Sequence, residues 1–141
     1  MIKNDAGQKL LRLIGNRRCF PPPAPSISLI REPIMSSKVY CTAQFLPKPG
    51  KEAELFQILQ SLEPNTLRED GCIQYIVTKH IQSPFAEGSS FPIVFHEIWK
   101  DMQSFETHCQ RDEISDFFER YCLADDGLAA DWNVCVYSDE R

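Results

Sequence analysis

Ile93-Val94-Phe95-His96-Glu97-Ile98-Trp99-Lys100-Asp101-Met102-Gln103-Ser104-Phe105-Glu106-Thr107-His108-Cys109 changes its period halfway along. Ile93 to Trp99 is rich in β-branched and aromatic residues and reads as a strand. Lys100 to Gln103 make a short turn, and Ser104 with the pair Phe105/His108 marks a helix. Side chains alternate across a strand, so Phe95, Glu97 and Trp99 share one face and His96 and Ile98 the other. The short turn keeps His108 near Trp99 and Glu97.

Upstream, Asp70-Gly71 supplies a helix stop, and Cys72 to Thr78 reads as another strand. Ser83 to Ser90 is a loop, and a short connection predicts a hairpin between the two strands. Further back, Val39 to Phe45 alternates and is stopped by Pro47 and Pro49-Gly50. Ala53, Leu55, Phe56, Ile58, Leu59 and Leu62 then recur at spacings of three and four, predicting a helix that begins near Lys51. Glu52 and Glu54 suit its first turn. Pro64 predicts a kink or restart, with Asn65 to Glu69 as a last turn. Downstream, Ile114, Phe117, Phe118 and Tyr121 extend the helical region, divided near Asp112 as a cap. Trp132 to Tyr137 alternates as the closing strand. The order is βαββαβ, the ferredoxin-like α+β unit: a four-stranded antiparallel sheet with its helices on one face. A second apolar sheet face needs a cover, which predicts a homodimer by isologous packing.

The whole chain has 141 residues, 43% hydrophobic and 25% charged, enough for one domain with a real core. Residues 1–38 hold seven basic side chains against Asp5 and Glu32, a net of +5, which leaves −10 for the rest of a chain whose total is −5. The acidic body has no basic stripe to follow a phosphate backbone, so nucleic acid is not an expected partner. Pro21-Pro22-Pro23-Ala24-Pro25 and Glu32-Pro33 make residues 1–35 a basic, Pro-rich extension, weakly ordered or disordered, ahead of a domain at 36–141. Three readings stand for it: Met35 as the biological start, a weak targeting arm, or an extension without a role. No apolar stretch reaches the roughly 18 residues of a membrane span, so a cytoplasmic protein without membrane contact is expected. The cysteines at 19, 41, 72, 109, 122 and 135 show no C-x-x-C pair and are expected to be reduced. No Gly-rich phosphate loop and no metal-ligand spacing occur; His80 and His96 could face each other across the hairpin, but two ligands are too few. No metal or cofactor is expected.

Four pieces in order carry a resemblance: Val39 to Phe45 with Lys48-Pro49-Gly50-Lys51-Glu52, then Arg68-Glu69-Asp70-Gly71-Cys72-Ile73-Gln74-Tyr75, Phe95-His96-Glu97-Ile98-Trp99-Lys100-Asp101, and Phe105-Glu106-Thr107-His108. Over residues 38–137 the chain resembles the antibiotic biosynthesis monooxygenase family. The resemblance implies a dimeric α+β barrel with a pocket between helices and sheet in each protomer, lined by the Trp at position 99. It also implies a range of activities: cofactor-independent oxygenation of quinols and aromatic polyketides, haem degradation, and isomerisation of small signalling sugars. Haem-degrading relatives carry an Asn and a His where this chain has Ala43 and Phe118, and polyketide-oxidising relatives an Asn where it has Phe95. Both specific geometries are therefore disfavoured.

The candidate catalytic residues are His108, a base able to turn a phenol or enediol into an oxygen-reducing anion, and Glu97, which could orient His108 or act as a base if burial raises its pKa. Glu97 could equally pair with Lys100 or Arg120. Trp99, Phe95, Phe45 and Tyr75 are the candidate ligand-binding residues. The expected partners are a small aromatic or quinol-like molecule and dioxygen. An alternative is a dimer that binds an apolar metabolite, or isomerises an enediol, without oxygen chemistry.

Overall fold

A computed structural model describes residues 37–141. The expectations for residues 1–35 and for Cys19 lie outside the described residues. Strand β1 is Val39–Pro47, followed by helices α1 (Glu52–Ser61) and α2 (Glu63–Thr66) and strands β2 (Cys72–Lys79) and β3 (Ile93–Trp99). Helices α3 (Met102–Cys109) and α4 (Asp112–Phe117), a π-helical segment at Phe118–Leu123 and strand β4 (Ala129–Ser138) complete the domain. The antiparallel sheet has the order β2-β3-β1-β4. This is the ferredoxin-like α+β fold.

The inner face of the sheet buries Val39, Phe45, Phe95, Trp99 and Trp132 against Leu55 and Leu59 of α1 and Ile114 and Phe117 of α4. Full burial of a leucine such as Leu55 or Leu59 stabilises by about 1.5–3 kcal/mol. Pro64 sits at the start of α2, where its missing N–H has no helical partner to lose, so the chain restarts there. Asp101 caps α3, its carboxylate accepting from the Ser104 backbone N–H at 2.8 Å.

Several boundaries and contacts differ from the sequence reading. Asp112 is the first residue of α4; Arg111 precedes it without a side-chain cap. Asp112 thus favours the helix through its charge in the first turn. β1 continues to Pro47 and β4 starts at Ala129, because a register shift at Leu46/Pro47 lets a proline end the strand without losing a ladder bond. β2 and β3 do pair, but through a long connection over residues 80–92, closed by His80 N–H donating to the Pro92 carbonyl at 2.8 Å. His96 therefore lies opposite Ile76, and His80 is beyond the paired strands. The π-helical segment had no counterpart in the periodicity.

The outer face is mixed rather than largely apolar. Tyr40 lies between Ile98 and Tyr137, and His96 between Thr42 and Ile76. Ile76 and Tyr137 are about half exposed.

Candidate functional site

Glu97 occupies the middle of the inner face, with Cys41 opposite it on β1 and Tyr75 on β2. Trp99, two residues along the same face, donates its indole N–H to Glu97 Oε2 at 2.9 Å. Burial penalises the charged form and raises the Glu97 pKa from 4.5 to about 7, against the opposing effect of the Trp99 hydrogen bond. A carboxyl group poised near neutrality beside a cavity can hold or release a proton under ordinary conditions.

His108 projects from α3 and is 3% exposed. Its ring lies 4.7 Å from that of Trp99 and 5.3 Å from that of Tyr75, centroid to centroid. His108 Nδ1 is 2.7 Å from Glu69 Oε2. Arg111 Nη1 stands 2.9 Å from that same oxygen, an ion pair without an aligned hydrogen bond, while Arg111 Nη2 donates to Glu113 at 3.1 Å. Beside the guanidinium, the Glu69 carboxylate is the acceptor, so Nδ1 carries the proton and the lone pair of the neutral ring is on Nε2. Burial lowers the His108 pKa below 6.5, and the Glu69 hydrogen bond only partly opposes this. Burial thus favours the neutral imidazole.

Glu69 is held in place by the turn after α2. Gly71 adopts φ +84°, and a Cβ there would collide with Ser104 and crowd Lys100. The Gly71 carbonyl accepts from Lys100 N–H at 2.8 Å, and the Glu69 carbonyl from Cys72 N–H at 3.2 Å. The turn is thereby pinned to the start of the α3 connection.

Cys41, Tyr75, Glu97 and His108 border a cavity of about 40 Å³ between sheet and helices. Its wall includes Phe45, Tyr75, Phe95, Glu97 and His108, all expected there. Trp99 is not in the wall: it lies behind His108, packed against the imidazole, because its indole turns to Glu97. Ala43, Cys41, Cys109 and Phe118 also face the space. It holds only a few water molecules as it stands, whereas ligand pockets are typically about 300–1,000 Å³, so an aromatic ring enters only if side chains move.

Two expected contacts are corrected. Glu97 does not orient His108; Glu69 does, a residue the sequence reading treated only as part of a turn. Nor does Glu97 pair with Lys100 or Arg120: Lys100 is bonded to Asp70 at 2.9 Å and Arg120 lies over the Tyr121 ring. Burial pushes the thiols of Cys72 and Cys109 up to about 11 and about 12, and those of Cys41 and Cys122 higher. These four and Cys135 are free thiols. Among the described residues no group of three or more His, Cys, Asp or Glu could hold a metal ion, and no helix is long and apolar enough to cross a membrane.

The fold has relatives among solved structures. A protein of Shewanella oneidensis is 30% identical, with 73% of this chain and 91% of that chain covered and a TM-score of 0.59. A conserved protein of Methanosarcina mazei Go1 is 26% identical over 73% of this chain and 93% of its own, with a TM-score of 0.58. A Pseudomonas aeruginosa protein shares the fold at 20% identity, covering 76% of this chain and 98% of its own, TM-score 0.59. No curated protein matches the chain. The profile of the antibiotic biosynthesis monooxygenase family matches residues 38–120, more than half of the chain. On its sequence, its βαββαβ topology and these relatives, the chain belongs to the antibiotic biosynthesis monooxygenase family.

Proposed function

We propose that the cavity is the site of a monooxygenase-like reaction on a small phenol or quinol, with His108 as the base and no added cofactor. The observation that supports this most is a buried imidazole in a largely apolar wall that also carries Glu97, its Nδ1 committed to Glu69 and its Nε2 left for a ligand hydroxyl. Removing the phenolic proton leaves an electron-rich ring that can pass electrons to dioxygen directly. In a phenol with a free para position, one oxygen atom enters that carbon and the other leaves as water. Phenol and dioxygen thus give quinone and water without an outside reductant. Glu97, able to carry a proton near neutrality, would supply or accept a second one in the same cavity. Tyr75 and Phe95, stacked at 4.4 Å, would form the flat wall. Ala43 and Phe118 offer no polar side chain to the cavity, so haem degradation has no support here.

A homodimer through the outer sheet face is part of the proposal, supported by exposed Ile76 beside His96 and by Tyr137 beside Tyr40, itself opposite Ile98. Oxygen uptake over a panel of phenols and quinols tests the reaction, repeated with His108→Ala. Uptake that is stoichiometric with quinone and depends on His108 supports it. The largely apolar lining favours a second reading, in which an apolar metabolite is only bound. Ligand binding by calorimetry without oxygen uptake would establish that reading instead.

A further inference from the structure

Outside the cavity, on the other side of the Glu69–His108 contact, an open surface groove of about 400 Å³ is lined by Glu69, Asp70, Lys100, Ser104, Thr107 and Arg111. Glu69 belongs to this groove and His108 to the cavity, and the two touch at 2.7 Å. The His108 side chain is 4% exposed and that of Glu69 13%. A base this enclosed reaches bulk water most directly through a neighbour, and Glu69 is the one carboxylate hydrogen-bonded to it among the described residues.

We propose that Glu69 is a positioning and proton-passing residue that connects His108 in the inner cavity to solvent in the outer groove. The inference rests on the reading of His108 as a base. Nε2 takes the proton of a ligand hydroxyl, the O–H bond breaks and an N–H bond forms, giving the imidazolium. Its Nδ1 proton moves to Glu69 Oε2 and from there to water in the groove. For the return, Glu69 takes a proton from the groove and gives it to Nδ1, while Nε2 releases its own to the oxygen anion left after reduction. Proton count and charge balance over the cycle. Arg111, paired with Glu69 at 2.9 Å and with Glu113 at 3.1 Å, keeps the Glu69 carboxyl group between His108 and the groove.

Nitrogen-15 NMR of the His108 ring tests this without any substrate. The full chain should show a protonated Nδ1 and an unprotonated Nε2 at neutral pH, with measurable exchange of the Nδ1 proton against water. In Glu69→Gln the amide oxygen still accepts from Nδ1, so the tautomer should persist while exchange slows by about tenfold or more. In Glu69→Ala, added formate should restore fast exchange, which a merely structural carboxylate would not do. An unprotonated Nδ1 in the wild-type protein, exchange unchanged in Glu69→Gln, or no response of Glu69→Ala to formate would overturn the proposal. If either variant fails to fold, the wild-type tautomer and the remaining variant decide. Oxygen uptake is read separately: its absence with every phenol tried would remove the proposed reaction, while the exchange result still decides the relay.

Discussion

Glu69 Oε2 and His108 Nδ1 are 2.7 Å apart although 39 positions separate the two residues in the chain. The contact joins the turn after α2 to the last turn of α3 and fixes which nitrogen of the imidazole is free. If His108 is the base, that contact defines the direction from which a ligand proton can be taken.

His108→Ala should lower oxygen-dependent turnover by about 10² to 10⁴. The same change should also destabilise the fold. His108 is buried between Trp99 and Tyr75, and its loss leaves a void and an oxygen of Glu69 without its donor. A cost of about 1–3 kcal/mol is expected in urea unfolding. Unchanged stability would mean that the ring is not packed as described.

Glu97 should make stability fall as pH rises. Its folded pKa of about 7 lies above its ordinary 4.5, so between these values the folded state holds more protons than the unfolded. The favourable contribution is complete below about 4.5 and is lost as pH passes through about 7, a swing of about 3 kcal/mol. Urea melts at pH 5 and pH 8 should show Glu97→Gln gaining on the wild type at the higher pH. His108 acts with the opposite sign. Its folded pKa is depressed below 6.5, so its contribution is present above that value and lost as pH falls through the lower folded pKa. A Glu97→Gln variant that tracks the wild type at both pH values would refute the assignment of Glu97.

Trp99→Phe removes the N–H that binds Glu97 while keeping most of the packing. The Glu97 pKa should rise further, moving the alkaline loss of stability to higher pH, at a cost of about 1–3 kcal/mol. Because Trp99 stands behind His108, apparent ligand affinity should change less than with Phe95→Ala. A larger effect of Trp99→Phe on affinity would place the indole in the cavity wall after all.

Gly71→Ala and Gly50→Ala make a matched pair. Both glycines have positive φ, but a Cβ at Gly50 meets open space, whereas one at Gly71 meets Ser104. Gly50→Ala should cost about 1 kcal/mol, and Gly71→Ala clearly more. Only Gly71→Ala should also disturb the His108 ring signals, by displacing Glu69. Equal melting temperatures in the two variants would contradict this.

The proposed dimer predicts light scattering at twice the monomer mass at micromolar concentration. Ile76→Lys, on the outer face and about half exposed, should shift the species toward monomer without unfolding it. A wild-type monomer would rule out assembly through this face.

Local pattern in the sequence was enough for the order of elements and the sidedness of β3. A strand repeats every two residues, so Phe95, Glu97 and Trp99 had to share a face, and the structure buries all three. Phe45, Tyr75, Phe95, Glu97 and His108 were candidates for one cavity that the family resemblance implied, and all five line it. What periodicity cannot register is a contact between segments whose relation depends on the whole packing. Tertiary structure alone therefore decided that Glu69 and not Glu97 holds His108, and that Trp99 turns its indole to Glu97 and leaves the wall. It also set the cavity at about 40 Å³, a volume that follows from how α1, α3 and the π-helical segment close over the sheet and from no one of them separately.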